Sequence, residues 1–76
     1  MKIAILGTGC PKCTKLYETT RQAIEALHLD AELQKVTDIQ QIMLHGVMMT
    51  PALVVDGEVK LVGKVPSLDE LKILLG

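Results

Sequence analysis

Apolar residues fall in short runs and stripes along the 76-residue chain, and their spacing predicts its elements. Ile3-Ala4-Ile5-Leu6 is a continuous apolar run ending at Gly7-Thr8-Gly9, as expected of a strand buried on both faces of a parallel or mixed sheet. Past Cys10, Pro11 suits the first turn of a helix, where its missing N–H costs nothing. From there Leu16, Thr20, Ala23, Ile24 and Leu27 recur at spacings of three and four, with Lys15, Glu18, Arg21, Gln22 and Glu25 on the other side. This stripe predicts a helix to about Leu29. Ala31 to Val36 follows as a second strand of weaker alternation. Asp38 is a suitable N-cap, with Gln41 three residues on, for a short helix whose apolar side is Ile39, Ile42 and Met43 and whose stop is Gly46.

Beyond Thr50-Pro51, the runs Ala52–Val55 and Glu58–Val62 flank Asp56-Gly57. That pair is a strong hairpin signal, because both central residues of a type I′ turn need positive φ. Glu58 and Lys60 alternate with Val59 and Leu61, as on a half-exposed edge. Ser67 and Glu70 have capping-box spacing and open a last helix with Leu68, Leu71, Leu74 and Leu75 as buried candidates. The predicted order is β-α-β-α-β-β-α in one domain, residues 1–76.

Composition narrows the function. Hydrophobic residues make up 49%, which supplies a dense core to a chain too short for two domains. Tyr17 is the single aromatic, and the net charge is −1; together these argue against base-stacking or phosphate-driven nucleic-acid binding. No apolar run reaches the length of a membrane span. The run from Met1 to Leu6 lacks the length and cleavage site of a signal peptide, so a cytoplasmic location is expected. A structural disulfide is not expected to persist there. Yet the two cysteines, Cys10 and Cys13, form a C-x-x-C pair, a spacing that points to redox catalysis or metal binding.

The place of this pair matters. A helix N-terminus has N–H groups without internal partners and carries partial positive charge, which stabilises a thiolate. Cys10 is therefore expected to ionise more readily than an ordinary cysteine, with Lys12 adding a nearby positive charge. Cys13 falls one turn deeper and is expected to be less accessible. Such a pair suits two-step exchange, with Cys10 attacking a disulfide and Cys13 resolving the mixed disulfide.

Cys10-Pro11-Lys12-Cys13 after the first strand, together with the segment from Gly46 through Thr50-Pro51 to Gly57, resembles the thioredoxin and glutaredoxin superfamily. The likeness is to its short single-domain members described as redox-active disulfide proteins, and it spans nearly the whole chain. It implies an α/β, thioredoxin-like fold: a four-stranded mixed sheet in order 2-1-3-4, with the first and third helices on one face and the second on the other. It implies a cis bond at Pro51, which would stand beside the cysteines, and a Thr50 backbone offered to a substrate chain. Gly63 and the helix start at Ser67 correspond to a region that contacts glutathione in glutaredoxins. Where thioredoxins have Trp before the first cysteine this chain has Gly9, and Lys2 to Leu6 includes no acid.

The expected function is thiol–disulfide exchange with protein substrates. Cys10 and Cys13 are the catalytic residues, and Pro11, Lys12, Thr50 and Pro51 line the substrate side. No dissociable cofactor is expected, only an upstream thiol reductant, and the chain is expected to act as a monomer. The alternative is a zinc or copper(I) module on the same two sulfurs. Zinc would need two further ligands, from His28, His45 or a second molecule. The pattern also resembles copper-chaperone domains, but their β-α-β-β-α-β order ends in a strand. Met48 and Met49, just before Thr50-Pro51, could form an apolar lip for a protein substrate.

Overall fold

The computed structural model describes residues 1–9 and 11–76. It contains β1 (Lys2–Leu6), α1 (Pro11–Leu27), β2 (Glu32–Val36), α2 (Ile39–Leu44), β3 (Ala52–Val55), β4 (Glu58–Val62) and α3 (Leu68–Leu75). The sheet order is β2-β1-β3-β4. β1 runs parallel to β2 and antiparallel to β3, and β3 and β4 form an antiparallel hairpin. This is the mixed sheet the sequence predicts.

The two central strands explain the arrangement. Ile3 to Leu6 and Ala52 to Val55 are all buried, so both faces of the sheet need a cover. On one face Ile3, Ile5, Leu53 and Val55 pack with Leu16 and Ala23 of α1 and with Leu71 and Leu75 of α3. On the other, Ala4, Leu6, Ala52 and Val54 pack with Ile42 of α2 and with Val47. Cross-strand pairing keeps each set together: Ile5 is opposite Leu53, and Leu6 is opposite Ala52. The edge strands are more open. In β4 the register shifts between Leu53 and Val54, which leaves Lys60 as an extra residue on the edge. Such a bulge discourages pairing with another chain.

Local signals set the element ends. α1 stops two residues short of the expected limit. His28 takes φ 54°, the His28 N–H donates to the Glu25 carbonyl, and the Leu29 N–H donates to Ile24. This pair of bonds is a Schellman ending, with the apolar Leu29 and Ile24 packed on the core beside it. Asp38 caps α2, its Oδ1 accepting from the Gln40 N–H at 2.8 Å. Asp56 and Gly57 both have positive φ, as the turn requires. Asp56 also accepts from the Lys2 N–H at 2.8 Å and returns its own N–H to the Lys2 carbonyl, which fastens the hairpin to the start of β1. Ser67 and Glu70 form the reciprocal capping box at α3.

Two expectations about burial change. In α2 only Ile42 is buried; Ile39 and Met43 are 60% and 67% exposed, because so short a helix covers the sheet with one residue per turn. In α3 Leu74 is 40% exposed, since Leu71 and Leu75 already make up the face turned to α1.

Among the described residues one core position is not satisfied. The Thr20 side chain is fully buried in α1, and its hydroxyl has no hydrogen-bond partner. Leaving a buried hydroxyl unpaired costs about 1–3 kcal/mol. Thr20→Val keeps the shape and removes the polar atom. It is expected to raise stability by about 1 kcal/mol in urea unfolding; a lower midpoint would show that the hydroxyl is used.

Candidate functional site

Three chain segments meet at the C-terminal end of β1. The chain leaves β1 at Gly7, whose N–H donates to the Val36 carbonyl at 2.9 Å and so continues the parallel ladder. Thr8 and Gly9 are exposed, and Gly9 takes φ 92°. α1 begins at Pro11. Across the same end, Thr50 and Pro51 enter β3 through a cis peptide bond. The Pro51 carbonyl accepts from the Gly63 N–H at 2.7 Å, tying the residue after β4 to the same corner.

Cys13 is the buried thiol of this corner. It sits in the first turn of α1 and is 5% exposed. Its burial depends on Gly7. A Cβ at residue 7 would overlap Cys13 Sγ, lie 2.9 Å from Cys13 Cβ and come 3.9 Å from Thr50 Cβ. The helix, the strand end and the Thr50 segment therefore meet at the one position that has no side chain. Sequence reading treated Gly7 as a strand stop. Its signal, a glycine six residues before the second cysteine, says nothing of packing until strand and helix are laid together.

The other predicted site residues divide. Pro11 and Lys12 are exposed at the start of α1. Thr50 is half-buried beside Gly7, and the Pro51 side chain is fully buried. Cys10, the expected nucleophile, lies outside the described residues. His28 ends α1, and His45 caps α2, its Nδ1–H donating to the Gln41 carbonyl at 2.9 Å. Among the described residues no three His, Cys, Asp or Glu side chains converge as a metal site would need.

Two concave surfaces flank this corner. On the α2 face a groove of about 310 Å³ is lined by Thr8, Ile39, Ile42, Met43, Val47, Met48 and Thr50. Met48 is 97% exposed at its rim. Met49, also exposed, lies across Gly63: a Cβ there would come 3.2 Å from Met49 Cε. On the α1 face a pocket of about 60 Å³ is bounded by Gly7, Cys13 and Thr14 and by Lys35 and Thr37 from the end of β2. Lys35 and Thr37 were not foreseen. The signal was the parallel register, which pairs Lys35 with Ile5 and so turns it toward α1. The Lys35 Nζ lies 4.6 Å from the centroid of the Tyr17 ring, one turn beyond Cys13. Among the described residues no helix is long and apolar enough to cross a membrane.

Comparison with known proteins agrees with this geometry. A family model described as "Thioredoxin domain" matches residues 1–76. The chain belongs to the thioredoxin domain family, whose members are thiol–disulfide oxidoreductases. It is 44% identical over 75 residues to a thioredoxin of Methanothermobacter thermautotrophicus, covering 99% of this chain and 97% of that one. It is 46% identical over 70 residues to a thioredoxin of Methanocaldococcus jannaschii, covering 92% of this chain and 80% of the relative.

Gly7→Ala tests the close approach. The short Cys13 side chain cannot swing clear of a new methyl group, so the first turn of α1 must move. The variant is expected to lose about 1–3 kcal/mol in urea unfolding. An unchanged midpoint would mean that the turn yields without cost.

Proposed function

We propose that this chain exchanges its Cys10–Cys13 dithiol and disulfide with protein substrates in the cytoplasm, supplied with electrons by an upstream thiol reductant. The observation that carries this reading is the buried Cys13 in the first turn of α1, against Gly7 and Thr50, in a chain of thioredoxin family.

In the reductive direction the Cys10 thiolate attacks one sulfur of a substrate disulfide. A Cys10–substrate bond forms, the substrate S–S bond breaks, and one substrate thiolate leaves and takes up a proton. The helix N-terminus and Lys12 favour the attacking thiolate. The Cys13 thiolate then attacks the Cys10 sulfur and expels the second substrate thiolate. Two electrons pass to the substrate, and the protein is left with a Cys10–Cys13 disulfide. Thr50 and Pro51, with Pro11 and Lys12, frame the place where an extended substrate segment would lie. The apolar groove beside Thr50, with Met43 and Met48, receives its side chains, and flexible thioethers suit varied partners. A metal-binding role for the same sulfurs is less well supported, because the family match and the similar thioredoxins point to thiol–disulfide exchange.

Two experiments test this reading. Cys13→Ser removes the resolving thiol and is expected to accumulate mixed disulfides on Cys10 when mixed with a disulfide-bonded protein such as insulin, seen as an intact-mass adduct lost on reduction. No adduct under conditions where the parent protein reduces insulin would sink the assigned roles. Met48→Glu places a charge on the groove rim. It is expected to slow insulin reduction by roughly tenfold, the value of about 1.4 kcal/mol. Reaction with a small aromatic disulfide should be little changed; equal slowing of both would place Met48 outside the substrate contact.

A further inference from the structure

Oxidisable sulfur gathers on the surface that the exchange reading assigns to the substrate. The chain has four methionines. Met43 and Met48 line the groove beside Thr50 and are 67% and 97% exposed. Met49 is also exposed, but its thioether lies over Gly63, with Sδ 3.8 Å from where a Cβ would stand. Met1 precedes β1, at the strand end opposite this corner. A thioether needs no proton loss before it reacts with peroxide, so access to solvent governs its oxidation. Met43 and Met48 are thus open to oxidants at the place where an apolar partner would touch.

We propose that Met43 and Met48 form a modification site that controls substrate access: hydrogen peroxide converts their thioethers to sulfoxides, and the oxidised groove accepts a protein substrate less well while the cysteine pair keeps its chemistry. In each reaction the methionine sulfur attacks one peroxide oxygen. An S–O bond forms, the O–O bond breaks, and the other oxygen leaves as water with both protons. The sulfur is oxidised by two electrons, and the peroxide is reduced by two. The inference rests on the exchange reading and adds a control to its substrate groove.

The effect falls on the complex more than on the free protein. Both side chains are outside the core, so water satisfies a sulfoxide oxygen there and the fold is left in place. An apolar substrate side chain that enters the groove displaces this water and offers no donor in return. The neighbouring groove residues Ile39, Ile42 and Val47 have no side-chain donor either. When Cys10 and Cys13 are joined as a disulfide, neither carries a thiolate to meet the peroxide, and the groove methionines become the reactive sulfurs of the corner.

The test uses the full chain as the Cys10–Cys13 disulfide, treated with hydrogen peroxide and then with catalase. Peptide masses locate the added oxygens. Insulin reduction with dithiothreitol as electron donor, and reaction of the reduced protein with 5,5′-dithiobis(2-nitrobenzoate), are each compared with an untreated sample of the same protein. Chain carrying both sulfoxides is expected to reduce insulin about fivefold more slowly, with the small aromatic disulfide little affected. Replacing Met43→Leu together with Met48→Leu keeps the apolar bulk without the sulfur. That variant is expected to reduce insulin equally fast before and after treatment, even with Met1 and Met49 oxidised. An undiminished insulin rate in wild type carrying both sulfoxides overturns the inference. So does equal slowing of the two substrates, equal slowing in the double variant, or peroxide that marks Met1 and spares Met43 and Met48. In each of those cases the exchange reading stands. If untreated wild type reduces insulin no faster than dithiothreitol alone, the exchange reading falls and this inference falls with it.

Discussion

The site rests on an absence of atoms at Gly7. A helix can approach the end of a strand only as closely as their side chains permit, and interiors leave few gaps to absorb an extra methyl. At Gly7 that limit is removed, so the first turn of α1 settles with Cys13 against the strand and Thr50 comes up from the other side. The rest of the fold fixes these partners from a distance. β1 and β3 are bound to each other and buried on both faces, so the strand end and the Thr50 segment share one rigid frame. α1 is held along its length by Leu16 and Ala23, and the contact at its first turn inherits that stiffness.

Size makes this frame demanding. A chain of 76 residues buries a smaller share of its surface than a larger domain, and this one has a single aromatic side chain to fill space. It compensates with aliphatic residues on both sides of the sheet and with satisfied ends: a Schellman turn at His28, an Asp38 cap, a capping box at Ser67 and an Asp56 clasp on Lys2. The price of the small size appears on the α2 face. There a six-residue helix spends one residue, Ile42, on the core and leaves Ile39, Met43 and Leu44 exposed.

The fold was legible wherever local chemistry and burial point the same way. The unbroken run Ile3 to Leu6 specifies a central strand, Asp56-Gly57 a hairpin, and Ser67 with Glu70 a helix start, and each holds in three dimensions. Boundaries were less legible: His28 gives no sign in the sequence that it will adopt positive φ, a state more often taken by glycine. Burial in short helices failed for a related reason. Periodicity reports which side of α2 is apolar, but how many of those residues reach the core depends on how much sheet remains to be covered. The site was half legible. The cysteine pair and Thr50-Pro51 stand out as motifs, whereas Gly7 and Lys35 gain meaning only from a contact between elements distant in sequence. Lys35 looks like an ordinary edge-strand lysine until the register with Ile5 turns it toward α1.

The same register separates two kinds of interaction around one sulfur. The sheet divides the corner into an α1 side, where Lys35 lines the Cys13 pocket and sets its ammonium over Tyr17, and an α2 side, where Met43, Met48 and Ile39 form an apolar groove. Apolar contact works only on touching surfaces, so it belongs on the open side where a partner can reach. With a net charge of −1 the chain has little long-range field with which to select partners, which leaves selection in the proposed exchange to the groove. Gly7 lines the Cys13 pocket and faces Thr50, which lines the groove, so the close approach that buries Cys13 also joins the two sides.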